Sequence, residues 1–99
     1  MELQDRLIIL FDYYGELLSD SQKNYFIDYY FHNLTLSEIA ENNNVSKNAV
    51  SKDLKLACSK LEDFDSKLKL IDKDNKIIKV IKEENNEELL EKINKILDL

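Results

Sequence analysis

An all-α fold is predicted for this 99-residue chain, and three observations predict it. The chain has no proline and one glycine, Gly15. Hairpins need turn residues, often glycine, and a phosphate-cradling loop requires several glycines, so that loop is excluded and an all-helical chain is the economical reading. Apolar residues recur at steps of three and four rather than two, which is the helical period. Serine, threonine and asparagine stand where helices would start and stop. The length suits one modest core. Hydrophobic residues at 43% and charged residues at 34% exclude a wholly disordered chain. No apolar run approaches the roughly 20 residues that cross a bilayer.

The first helix is expected over residues 3 to about 18, because Leu3, Leu7, Leu10, Phe11, Tyr14 and Leu18 fall on one face. Gly15 lies inside this pattern and weakens it by roughly 1 kcal/mol relative to alanine; a close helix crossing there would compensate. Ser19 opens the second helix, since "SDSQ" has the form of a capping box with Gln22 reaching back. That helix is expected to run to His32, with Tyr25, Phe26, Tyr29 and Tyr30 on one side. Such aromatic residues can stack on bases, but packing of the first two helices is the expected use. Asn33 suits a helix end. "TLSE" repeats the capping box at Thr35 and Glu38, opening a short third helix over residues 36–42. "NNN" makes the turn, because asparagine tolerates left-handed dihedrals. Ser46 then caps a long fourth helix.

In that fourth helix Val50, Leu54, Ala57, Leu61, Phe64, Leu68 and Ile71 follow four-three spacing. This heptad seam serves either the chain's own core or the same helix of a second copy. A break is expected at "DKDN", residues 72–75, followed by amphipathic pieces over residues 76–83 and 87–97. Domain organisation is therefore read as a helical domain over 1–71 and a helical C-terminal extension over 72–99.

The third and fourth helices with their short turn form a helix-turn-helix, whose second helix reads a major groove in DNA-binding proteins. Ala40 is small where the two helices touch, and Ile39, Val45, Val50 and Leu54 are expected to make their shared core. Lys47, Asn48, Ser51, Lys52 and Lys55 form the polar face, the candidate nucleic-acid-binding residues. Asn48 can pair with adenine and the lysines with guanine or phosphate; a lysine is a point charge, so this face positions better than it specifies.

Charge tests that reading, because phosphate contact needs cations. The net charge is −6. Residues 1–33 hold two basic and six acidic groups, whereas residues 34–61 hold four basic and three acidic, and residues 46–60 alone reach +3. The acid lies mainly outside the helix-turn-helix. A patch of this size still falls short of the six to ten phosphates that strong duplex binders neutralise, and a homodimer would double it.

Other chemistry finds little support. One cysteine, Cys58, allows no internal disulfide, and one histidine, His32, gives no metal cluster. Cys58 is expected as a small buried hydrophobe and His32 as a partly exposed residue near a helix end. No carboxylate pair is marked out for a dry cleft. No catalysis, metal or cofactor is expected. "MELQDRLIILFDYYGELL" has Glu2 and Asp5 where a secretory signal is basic, so a cytoplasmic location without membrane insertion is expected.

The segments "LFDYYGELL", "QKNYF", "YY", "LSEIAE", "VSKNAV" and "LEDFDSKLKL" together resemble region four of bacterial sigma factors, and resemble more closely the YlxM family of small bacterial helix-turn-helix proteins. The match spans residues 10 to about 70 and extends past the helix-turn-helix on both sides. The family usually has arginine and glutamine where Lys47 and Asn48 stand, and the turn, here "NNN", usually carries a glycine or acidic residue in this fold class. The resemblance implies an accessory or regulatory factor of the signal recognition particle pathway, with the particle's RNA, its GTPase or the receptor GTPase as partner, and a homodimer. Two alternatives remain: a DNA-binding transcriptional regulator, and a structural dimer that bridges partner proteins.

Overall fold

The computed structural model describes residues 2–84 and 86–97. Six α-helices carry these residues: α1 (Leu3–Tyr14), α2 (Asp20–Phe26), α3 (Leu36–Asn43), α4 (Lys47–Leu68), α5 (Leu70–Glu83) and α6 (Glu87–Leu97), with no strand among the described residues. The chain divides into two compact units, Met1–Lys67 and Leu68–Leu99.

The first unit holds the main core. Leu10, Tyr14, Phe26, Ile39, Val50 and Leu61 are its largest fully buried side chains. The Phe11 and Phe26 rings stack in parallel at 4.4 Å, joining α1 to α2. Arg6 ties α1 to α4 through a two-pronged pair with Glu62, both bonds 2.9 Å. The buried Tyr14 hydroxyl donates to Asp65 at 2.8 Å. Gln22 is the one buried polar side chain of this unit among the described residues, and its amide oxygen accepts from Lys60 Nζ at 3.1 Å.

Helix starts follow the sequence closely. Ser19 with Gln22 and Thr35 with Glu38 both form complete capping boxes. The Ala49 amide donates to Ser46 Oγ at 3.0 Å. Asn33 and Asn44 adopt left-handed φ of 57° and 55°.

Four expectations are corrected. The first helix is not continuous to residue 18: α1 tightens into a 3-10 turn over Gly15–Leu17, a common way to finish a helix. Gly15 has φ −56°, so it supplies room rather than rotation. A Cβ there would lie 2.9 Å from the Phe11 ring. The close approach comes from the preceding turn of its own helix, not from a crossing helix.

The second helix widens into a π turn over Ile27–Phe31, where the His32 amide donates to the Ile27 carbonyl at 3.1 Å. The wider turn changes the side-chain register. Tyr25 and Phe26 are buried and Tyr30 is half-buried, but Tyr29 emerges to solvent.

Val45 is 40% exposed rather than core. Its amide donates to the Ala40 carbonyl at 3.1 Å, beside the left-handed Asn44. This is a Schellman cap, and it leaves Val45 in the turn between two helices. Ile39, Ala40, Val50 and Leu54 are buried as expected.

The heptad seam is interrupted. Val50, Leu54, Ala57 and Leu61 are buried and Phe64 is half-buried against Tyr14, with ring centroids 6.2 Å apart. Leu68 is exposed, and Ile71 belongs to α5. The break falls at Lys69, with φ 53°, and "DKDN" lies inside α5. The seam therefore begins as core of the first unit, and its helix ends at Leu68, before Ile71.

In the second unit α5 and α6 are amphipathic, and Ile81 is the only buried side chain among its described residues. Ile77, Val80, Leu89 and Ile96 remain exposed. No helix among the described residues is long and apolar enough to cross a membrane.

Candidate nucleic-acid interface

The turn that presents α4 is built from local rules. Asn44 ends α3 in the left-handed region, Val45 donates back to Ala40, and Ser46 takes the first free amide of α4. Each step satisfies a backbone group that a helix end leaves open. The first turn of α4 consequently begins in solvent, with Lys47 and Asn48 exposed. Its remaining free amides add partial positive charge at this end.

Lys47, Asn48, Lys52 and Lys55 are exposed and Ser51 is half-buried. Asn48, Ser51, Lys52 and Lys55 line one open depression of about 540 Å3, together with Leu56 and Ser59. Lys47 is set apart. It lines a second cavity of about 500 Å3 with Tyr29, Thr35 and Ser37. Lys55 also borders a third, of about 460 Å3, with Tyr29, Tyr30 and Cys58. The five predicted residues thus form one concave patch of four and one flanking lysine. The sequence named Tyr29 within an aromatic group expected to pack the first two helices, and Thr35 as a cap, but it did not single out Ser37 or Ser59. The adjacent capping boxes and tyrosine pair were visible, but the π turn that aims Tyr29 outward has no sequence signature.

The neighbouring titratable groups do not look catalytic. The Tyr30 hydroxyl and Cys58 sulfur lie 3.9 Å apart. Burial, and then the nearby Cys58, push the Tyr30 hydroxyl up to about 12. Burial also raises the half-buried Cys58 thiol, which keeps it protonated and unreactive near neutral pH. The exposed His32 pairs with Asp28 of its own helix at 3.2 Å. No group of three or more His, Cys, Asp or Glu residues able to hold a metal ion occurs among the described residues.

The short α3, the capped turn and the long α4 with an exposed lysine-bearing face define a helix-turn-helix protein. The sequence profile of UPF0122, described as "Putative helix-turn-helix protein, YlxM / p13 like", matches residues 1–99, and the chain belongs to this family. Relatives include a UPF0122 protein of Malacoplasma penetrans, 47% identical over 81% of this chain and 78% of its own length. Another, from Clostridium perfringens, is 39% identical over 96% of this chain and 80% of its own. A third, from Fusobacterium nucleatum, is 41% identical over 85% and 84%. Membership in a helix-turn-helix family points toward nucleic-acid binding rather than catalysis.

Proposed function

We propose that this protein is a non-enzymatic accessory factor of the signal recognition particle pathway, which binds the particle's RNA through the exposed face of α4. The observation that carries the contact is the clustering of Asn48, Ser51, Lys52 and Lys55 in one open depression, flanked by Lys47, in the least acidic part of the chain. The pathway is inferred from the YlxM resemblance. The protein acts as a homodimer in the cytoplasm; the exposed apolar side chains of α5 and α6 support the dimer.

A second reading is a DNA-binding regulator. Asn48 favours it, because an exposed amide in the first turn of the second helix stands where base edges are read.

Anisotropy titrations with the particle's RNA and with duplex DNA, each with unlabelled competitor, separate the two. The RNA reading expects saturable binding to the RNA that survives competitor duplex, and at least a tenfold loss in Lys52→Glu/Lys55→Glu. Binding of duplex DNA that survives competitor and is lost in Asn48→Ala would favour the regulator. Recovery of the targeting GTPase or its receptor without RNA, in a pull-down from native lysate, would move the contact to a protein partner. Recovery of neither RNA nor GTPase would sink the pathway assignment.

A further inference from the structure

The chain has five tyrosines, and the fold sorts them. Tyr14 and Tyr25 are core residues, whereas Tyr29 is 37% exposed. Tyr30 packs against it edge to face, with centroids 4.9 Å apart at 83°. Tyr29 lies on the wall shared by two cavities. One, of about 500 Å3, is lined on its far sides by Gln4, Asn33, Thr35, Ser37 and Lys47. The other, of about 460 Å3, is more apolar, with Leu3, Leu7, Leu54 and Cys58 beside Lys55 and the Arg6-paired Glu62. Both volumes fall within the usual range for small-molecule sites. Tyr29 therefore borders both cavities, one holding Lys47 and the other Lys55. Those lysines are eight residues apart, about 12 Å along the helix at the α-helical rise.

We propose that Tyr29 is a stacking platform for an unpaired nucleobase in a single-stranded segment, with Lys47 and Lys55 meeting the phosphates on either side. This rests on the reading of α4 as a nucleic-acid face, and it narrows the ligand to one that offers an unstacked base. A base within a duplex has both faces covered by its neighbours and cannot reach the ring. An unpaired base can, and such stacking tolerates any base because each has a π-face.

The lining fits this chemistry. The side-chain amides of Gln4 and Asn33 and the hydroxyl of Ser37 offer donors and acceptors to a base edge. Thr35 Oγ1 accepts from the Glu38 amide, so its hydroxyl proton is still available to donate. The apolar cavity beyond Tyr30 takes the flanking sugar or a second base. The charged side chains of the two linings are Lys47, Lys55 and Glu62, and the Glu62 carboxylate is held by Arg6, which leaves the lysines to meet phosphate.

The test uses the full chain with labelled single-stranded oligonucleotides and the matching duplex. Ribose and deoxyribose versions show which backbone supplies the base. The expected result is preference for the single strand over the duplex, and binding weakened roughly 5- to 100-fold in Tyr29→Ala. Tyr29→Phe should bind almost as wild type, because the ring is kept. The chain has no tryptophan, so Tyr29→Trp places a single reporter in the site, and its fluorescence should be quenched by the single strand and not by the duplex. Circular dichroism of each variant checks that the helices persist. If Tyr29→Ala does not fold, the Tyr29→Trp quenching alone decides. Equal binding of single strand and duplex, with Tyr29→Ala unaffected and Tyr29→Trp unquenched, overturns the platform but leaves the lysine face standing. Absence of any nucleic-acid binding overturns both.

Discussion

At the scale of single residues, the burial of Tyr30, with Cys58 beside it, predicts a loss of stability in alkali. Tyr30 ionises at about 12 in the fold, above its ordinary 10, because burial and the nearby sulfur disfavour the phenolate. The folded state thus holds this proton more tightly than the unfolded chain does. The stability this gives is fully present below pH 10 and is lost as pH rises from 10 to about 12. Denaturant midpoints measured along the alkaline limb should fall through this window, and Tyr30→Phe should flatten the fall. An equally steep fall in the variant would show that another group controls it. None of this was legible in the sequence. "FIDYYFHN" shows the tyrosines, but a helical wheel puts Tyr29 and Tyr30 on the same side. The π turn spans both, and there Tyr30 is half-buried while Tyr29 is exposed. The capping residues were legible because a cap is a local bargain between a side chain and amides two or three residues away.

At the scale of elements, the junction of α4 and α5 shows where periodicity misleads. The four-three pattern runs past the break, so the sequence reads as one helix to Ile71. A left-handed residue ends it at Lys69 instead. Lysine carries no mark of that conformation, whereas Asn33 and Asn44 do, and those two positions were legible for that reason. A left-handed backbone costs a residue with a Cβ about 1–2 kcal/mol. Glycine would remove that cost and lose part of the gain through the greater freedom of its unfolded chain. Lys69→Gly is therefore expected to stabilise the protein, by up to about 1 kcal/mol. Thermal melts check the total, and hydrogen exchange at the start of α5 checks the place. Destabilisation would mean that the lysine side chain itself holds the junction. The same reasoning explains Val45, whose apolar character suggested core. The Schellman cap uses its amide and leaves its side chain in the turn.

At the scale of the whole molecule, the question is how a chain of net charge −6 would hold the polyanion proposed for it. Lys47, Lys52 and Lys55 give three exposed cations on the proposed face, which is few for a phosphate binder. The C-terminal unit supplies a route to more. Its helices bury only Ile81 among the described residues and leave Val80 57% and Ile96 65% exposed. Helices of 14 and 11 residues are marginal alone, and most helical stability comes from packing an apolar face. Pairing with the same unit of a second copy would cover these faces and give the dimer six such lysines in place of three. The consequence is quantitative. For a single strand the logarithm of affinity falls with the logarithm of salt at about 0.7 per phosphate neutralised. The slope should then be about −4 for a dimer and about −2 for a monomer. Val80→Glu/Ile96→Glu places like charges on the pairing faces and lies outside the first unit, where the core of α1 to α4 resides. Sedimentation equilibrium should show a dimer for the natural chain and a monomer for the variant, and the salt slope should halve with it. A monomer that already binds with a slope near −4 would show that one copy supplies all the cations, from lysines beyond the face of α4.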